Sequence, residues 1–356
     1  MGDVSIRRRI GFLNNSCGIL SMSAQILHKS AQFLPEWAAP VCSELDLVNR
    51  RLESVLTSDV DAAFDISVRL LMAGGKRIRP ALVLLTAFAR DPRADRDRVV
   101  NIAAAMELVH MASLVHDDVV DERLSRRGAP TATASWRNKI SVLGGDFIFS
   151  KALSLLSADG DIEMVRALSA TAVKMTESEV LQASCEGSLV LWEANYDRII
   201  RDKTALLMGT CCECGAIAAG AGGAVRSAVR EYGIAVGLAF QIADDVLDLV
   251  GDPSRTGKET GTDIANGKFT LPVLIATRES DPDARHRMIS ALSRELIGEE
   301  IEANARLVVE SGAIEKALDI AVRHSEDARA LLGVFSPSCF RDALRLLALH
   351  ASTRES

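Results

Sequence analysis

The sequence predicts an all-α fold, built as a single large helical bundle. Three observations carry this. Hydrophobic residues make up 48% of the 356-residue chain while aromatics make up only 4%, and alanine and leucine dominate, a composition that favours helix. The 9 prolines are few for this length and fall between apolar-periodic runs. The period-2 alternation of a half-buried strand is absent.

Taken in order, VCSELDLVNRRLESVL, DAAFDISVRLLMAG and RPALVLLTAFAR each place apolar residues three and four apart, the spacing of one helix face. NIAAAMELVHMASLVHDDVVDE is apolar nearly all round and is expected to be a central helix. Further helices are expected at roughly 138–157, 160–186, 195–222 and 224–250, with shorter ones to the end. Turn signals separate them, as in GGKRIRP, RRGAPT, SADGD and GDPSRTGKETGTD. These set candidate functional loops at roughly 74–80, 123–135 and 251–269. No repeat and no long linker argues for a second domain. Residues 41–356 therefore read as one domain, preceded by an extension over residues 1–40. That extension contains Arg and Ser and is almost free of acids, which suits a disordered or targeting segment. Ile6 breaks the myristoylation pattern.

The net charge of −7 gives no general attraction to nucleic acid. No unbroken apolar run reaches the ~18 residues of a membrane span. The expected location is the cytoplasm, with peripheral membrane association or organelle targeting left open. Cys211 and Cys214 have C-x-x-C spacing, but no second pair follows at a zinc-site interval. They read as small apolar residues packing a helix in a reducing compartment.

Two short stretches carry the chemistry. LVHDDVVDE holds Asp117, Asp118 and Asp121, and FQIADDVLDLVGD holds Asp244, Asp245 and Asp248. In each, carboxylates four residues apart share one helix face about one turn apart. Such charges repel unless a cation lies between them. Oxygen-only donors suit a hard cation, Mg²⁺ above all, which usually completes its shell with substrate phosphates. A solvated acidic helix end explains one copy of the pattern better than it explains two. Cations for the remaining diphosphate charge lie in loops. Gly74, Gly75, Lys76, Arg77 and Arg79 stand at a helix start, where backbone N–H groups face an anion. Arg126 and Arg127 follow the first acidic cluster, and Lys203, Lys258 and Lys268 come later.

With these residues in hand, the chain resembles the trans-isoprenyl diphosphate synthases from about residue 45 onward. The matching motifs are GGKRIRP, HMASLVHDDVVDE, RRGAPT, GGDFIFSKA, KTALLM, FQIADDVLD and GKETGTDIANGKFTLP. The resemblance implies a deep central cavity, a dimer, and head-to-tail condensation of isopentenyl diphosphate with an allylic diphosphate. It implies three Mg²⁺ per site, with Asp117 and Asp121 holding two on the allylic diphosphate and Asp244 a third. Asp118, Asp245 and Asp248 would support them. Arg126, Lys203 and Lys258 would neutralise the leaving diphosphate, with Lys268 nearby. Lys76, Arg79, His110 and Arg127 would bind isopentenyl diphosphate. Thr204 and Gln241 would point oxygen dipoles at the developing carbocation. The departed diphosphate would take the proton, so His116 is not expected to act as acid or base. Ser178 stands where the family usually has Gly, with Glu179 and Gln182 in place.

Val109 and Ser113 lie near the face of Asp117, and the family adds that Ala112 faces the cavity in which the product grows. Ala112 and Ser113 are small, so the chain is expected to pass this level, to roughly C30 to C50. The motif string also resembles the catalytic component of two-part heptaprenyl diphosphate synthases. A homodimer is expected, with a heteromer containing a non-catalytic subunit left open. A short-chain synthase and a class I terpene cyclase compete with this reading. A cyclase would share one acidic cluster only and would lack the GGKRIRP site.

Overall fold

The computed structural model describes residues 35–121, 125–126, 129–251, 260–292 and 298–353. A 3-10 turn, Glu36–Val41, leads into α1 (Cys42–Val55), α2 (Asp61–Met72), α3 (Ile78–Arg90) and α4 (Arg96–Val120). Two-residue strands, Ser125–Arg126 and Ala129–Pro130, pair antiparallel. Then come α5 (Ala132–Asp159), α6 (Ile162–Cys185) and α7 (Leu189–Ile200). A π turn over Arg201–Ala205 joins α7 to α8 (Leu206–Ala218), followed by α9 (Gly223–Val250). The chain closes with α10 (Thr262–Ala265), α11 (Leu271–Glu279), α12 (Pro282–Leu292), α13 (Glu299–Glu310), α14 (Ala313–Leu331) and α15 (Cys339–Ser352). The fold is all-α, as the composition predicts.

Side-chain caps open two helices upstream of the apolar runs that predict them, at Asp95 and Thr131. Asp95 accepts from Arg98 N at 3.1 Å to open α4, satisfying a donor that the first turn leaves unpaired. Thr131 does the same for α5 through Ala134 N at 3.2 Å. Helix is expected from about residue 138, but α5 begins six residues earlier, with a break at Arg137 (φ 66, ψ 160). A larger difference is the π turn. The periodicity predicts one helix through 195–222, whereas the run widens to π geometry over Arg201–Ala205, a form that recurs at functional sites.

Helix α4 is central, packed against α1, α3, α5 and α8. Among its buried residues are two acids, Glu107 and Asp118, which need partners at that depth. The larger core joins the first 3-10 turn, α1, α3, α4, α8 and α15. Trp37 and Val41 already belong to it, so the core reaches back past residue 41. A second core lies between α7, the latter half of α9, α11, α13 and α14. Each large aliphatic side chain enclosed there contributes about 1.5–3 kcal/mol relative to exposure. Helices α8 and α9 approach closely because glycines line the crossing: a Cβ on Gly233 would lie 2.5 Å from Met208 O.

Counting unbroken apolar runs overlooked two helices. By length and mean hydropathy (1.4), α4 and α5 are apolar enough to cross a membrane, their scattered polar residues being outvoted in the average. In α4, 72% of that stretch is buried within the protein, as a core helix should be. In α5 only 33% is, and Ile140, Val142 and Leu143 are exposed.

Candidate active site

The two acidic clusters sit at the C-terminal ends of α4 and α9. Asp117 on α4 and Asp121 at its C-cap are half-buried, and Asp118 between them is buried. On α9, Asp244 and Asp248 are half-buried and Asp245 is buried. The π turn brings Lys203 to the first cluster and Thr204, through Gln241, to the second. Lys203 Nζ pairs with Glu179 Oε1 at 2.7 Å and donates to Gln182 Oε1 at 3.3 Å. Burial pulls the Lys203 pKa down, but Asp117, Glu179 and Asp121 together outweigh it and raise the value. The Glu179 carboxyl is also pushed up, by burial first and then by Asp117 and Asp121 against the pull of Lys203. The two shifts differ in their leading cause: acidic neighbours raise Lys203 against burial, whereas burial itself leads for Glu179.

Thr204 connects to the second cluster. Its Oγ1 donates to Gln241 Oε1 at 2.8 Å, and Gln241 Nε2 donates to Asp245 Oδ1 at 2.9 Å. Tyr196 on α7 donates to the other oxygen, Asp245 Oδ2, at 2.7 Å. Burial drives the Asp245 pKa well up, Asp263 and Asp244 add to this, and the Tyr196 and Gln241 hydrogen bonds oppose it. Asp248 anchors the segment that follows. Its Oδ2 accepts from Asp263 N at 3.0 Å and its carbonyl from Gly261 N at 2.6 Å. Lys268 is buried, 3.4 Å from Asp121 Oδ1, so it reaches the first cluster.

At the start of α3, Lys76 is exposed and Arg79 is part-buried. The Arg79 Nε is enclosed with no hydrogen-bond partner among the described residues. Burial lowers the Arg79 pKa, while Glu107, Cys211 and Asp117 work to raise it. An enclosed guanidinium edge with an unspent donor is a place for an anion. Arg77 departs from the expectation that it faces the same anion. Its left-handed backbone (φ 52) turns the side chain inward, to Glu107 Oε1 at 2.7 Å and Asn49 Oδ1 at 3.0 Å. It ties the loop to α1 and α4.

Val109 and Ala112 are buried and Ser113 is half-buried, donating to His110 O at 2.9 Å. His116 lies 3.3 Å from both Asp146 Oδ1 and Val142 O, facing α5. Gly145 makes room for it, since a Cβ there would fall 2.4 Å from His116 Nε2. The Cys211, Cys212 and Cys214 thiols are fully enclosed. Burial pushes all three up, Cys212 to about 12, so they pack rather than react. Arg127 and Lys258 lie outside the described residues, as does the Arg126 side chain; its backbone forms the first strand. A surface hollow of about 300 Å³, lined by Ile275, Glu279, Lys316 and Ile320, holds none of these groups.

Sequence reasoning missed Tyr196, Glu107 and Gly237. A Gly237 Cβ would fall 2.5 Å from Ala205 Cα, so this glycine lets α9 touch the π turn. A glycine inside a strong helix was a readable signal; a tyrosine in an amphipathic helix was not.

An all-α bundle whose two acidic clusters are linked through Lys203, Thr204 and Gln241 defines a prenyltransferase. Residues 62–307 match the Polyprenyl synthetase family model, and the chain belongs to that family. It is 36% identical over 312 residues to heptaprenyl diphosphate synthase component 2 of Geobacillus stearothermophilus, covering 88% of this chain and 96% of the relative. It is 37% identical over 310 residues to a short chain isoprenyl diphosphate synthase of Methanothermobacter thermautotrophicus, covering 85% and 94%. A polyprenyl synthase from Caulobacter crescentus, solved with calcium and isoprenyl diphosphate, superposes with a TM-score of 0.87 at 36% identity, covering 91% of this chain and 98% of that one.

Proposed function

We propose that this protein is a Mg²⁺-dependent trans-polyprenyl diphosphate synthase, adding isopentenyl diphosphate to an allylic diphosphate until the product reaches about C30 to C50. The observation that carries the reading is the gathering of two carboxylate clusters around Lys203 and Thr204. Among the described residues, no group of three or more His, Cys, Asp or Glu side chains is placed to hold a metal ion by itself, so substrate oxygens would have to complete the shell. That fits Mg²⁺, which takes one or two carboxylates and leaves room for phosphate oxygens. Asp117, Asp121 and Asp244 would hold the metal, three ions in all, with Asp118, Asp245 and Asp248 in support. Bound there, Mg²⁺ supplies charge neutralisation to the diphosphate.

The chain's own residues do the rest. Lys203, Lys268, Arg126 and Lys258 neutralise the leaving group, so the allylic C–O bond breaks with its electron pair on diphosphate. Thr204 and Gln241 face the resulting cation. Lys76, Arg79, His110 and Arg127 hold isopentenyl diphosphate so that its double bond supplies the pair for the new C–C bond. A neighbouring C–H then gives its proton to the departed diphosphate and the double bond re-forms.

Identity alone does not set product length, because a heptaprenyl and a short-chain relative match this chain about equally. The small residues Ala112 and Ser113 support the longer product. We further propose a single catalytic unit over 41–356, in the cytoplasm, releasing an apolar product to a membrane. A homodimer is proposed, supported by the exposed apolar face of α5. A relative named as one component of a synthase keeps a non-catalytic partner in view. The test is product chromatography after incubating purified protein with labelled isopentenyl diphosphate and each allylic starter, with Mg²⁺ or with chelator. Mg²⁺-dependent linear polyprenyl products are expected. No condensation, or a cyclised hydrocarbon, would overturn the proposal.

A further inference from the structure

We propose that Tyr196, acting through Asp245 and Gln241, fixes the direction in which the Thr204 hydroxyl presents its lone pairs to the reacting carbon. Tyr196 is a positioning residue here, and the idea rests on the prenyl-transfer reading above. Its ring is buried on α7, eight residues before Thr204, and its hydroxyl donates to Asp245 Oδ2 at 2.7 Å. The other oxygen of that carboxylate accepts from Gln241 Nε2 at 2.9 Å. With its amide nitrogen so engaged, Gln241 must turn Oε1 the opposite way, and there it accepts from Thr204 Oγ1 at 2.8 Å.

The direction matters because a hydroxyl has one proton and two lone pairs. Spending the proton on Gln241 leaves only lone pairs for whatever approaches Thr204 from the open side. An electron-rich oxygen stabilises a developing carbocation, and a proton aimed at it would do the reverse. If Gln241 flipped, its amide N–H would face Thr204, the hydroxyl would accept there, and its proton would turn toward substrate. The flip is resisted by Asp245, whose carboxylate must keep Oδ1 toward Gln241. Tyr196 supplies the donor at the opposite oxygen that holds the carboxylate plane. Without that hydroxyl, Asp245 is free to rotate and Gln241 loses its fixed acceptor. Each link is buried or half-buried, so water does not readily replace it.

The test is a double-mutant cycle on kcat with the full-length protein, combining Tyr196→Phe with Thr204→Val, and with Thr204→Ser as the conservative control. Tyr196→Phe alone should lower kcat about tenfold, leaving both KM values and the half-saturating Mg²⁺ concentration within about twofold. In the Thr204→Val background the same change should cost less than about twofold, because the hydroxyl it orients is gone. In the Thr204→Ser background the loss of about tenfold should return. Additive losses in the Val background would overturn the proposal. So would a shifted Mg²⁺ requirement, which would mean that Tyr196 acts on the metal ligands instead. A Tyr196→Phe protein that melts far below wild type would also overturn it, since the hydroxyl would then serve the fold. Wild-type protein that does not condense at all would refute the prenyl-transfer reading itself, a result distinguishable from an additive cycle in an active enzyme.

Discussion

Gly237→Ala perturbs the site without touching any group that meets substrate. Gly237 is one turn before Gln241 on α9, against the π turn. A Cβ there would lie 2.5 Å from Ala205 Cα and 2.9 Å from Ala205 Cβ. Carbon atoms pack at about 3.5–4.0 Å, so α9 and the π turn must separate by about 1 Å. The Thr204–Gln241 hydrogen bond is 2.8 Å long. Opened by that amount, it passes the length at which a hydrogen bond persists. Overpacking of this kind costs about 1–3 kcal/mol. Alanine's better helix propensity returns about 1 kcal/mol, so the net loss in a thermal melt should be small. Activity should suffer more, because a displacement of about 1 Å at reacting groups costs about a hundredfold in rate. The assay is incorporation of labelled isopentenyl diphosphate at saturating substrates, with a melt on the same preparation. Turnover should fall by about 10- to 100-fold. A folded Gly237→Ala enzyme with turnover within about twofold of wild type would refute the claim that this contact sets the geometry.

Ala112→Phe places a ring about one turn below Asp117 and should shorten products to about C15–C20 by chromatography, with incorporation reduced but not abolished. A folded, active variant making wild-type lengths would contradict the cavity assignment. Glu107→Ala strands the Arg77 guanidinium, whose side chain is only 11% exposed, and should lower unfolding stability by about 3–5 kcal/mol. An unchanged denaturant midpoint would remove Glu107 from the account of the α3 loop. Arg98 grips Asp159 through two hydrogen bonds, 2.7 and 3.0 Å, which hold that carboxyl below its ordinary pKa. A depressed carboxylate stabilises above its unfolded value and loses that contribution as pH falls through its folded value. Asp159→Asn should therefore cost about 1 kcal/mol at neutral pH, and the gap to wild type should close below roughly pH 4. A gap that widens with acid would show the sign to be wrong.

How far the sequence could be read depended on whether a feature is local. Helix α4 was legible because an all-round apolar run with acids at one end has few other homes. The acidic clusters were legible because a four-residue spacing fixes a shared face on any helix. The π turn was not, because the apolar period through 189–218 runs straight across it, and its contact with α9 at Gly237 joins residues distant in sequence. Arg77 read like its neighbours Lys76 and Arg79, and a left-handed backbone at one residue turned it from the anion to Glu107. The start of α5 was set late because the break at Arg137 interrupts the pattern that marks a helix. Tyr196 carried no signal: its partner Asp245 is 49 residues away, and only the fold brings them together.

The central claim is that both acidic clusters act on one diphosphate through Mg²⁺. The most direct test is turnover of Asp117→Asn and Asp244→Asn, each near-isosteric, at saturating Mg²⁺ and substrates, with helicity followed by circular dichroism. Both variants should keep wild-type helicity and lose at least about a hundredfold in kcat. Near-normal turnover in either one would contradict the account.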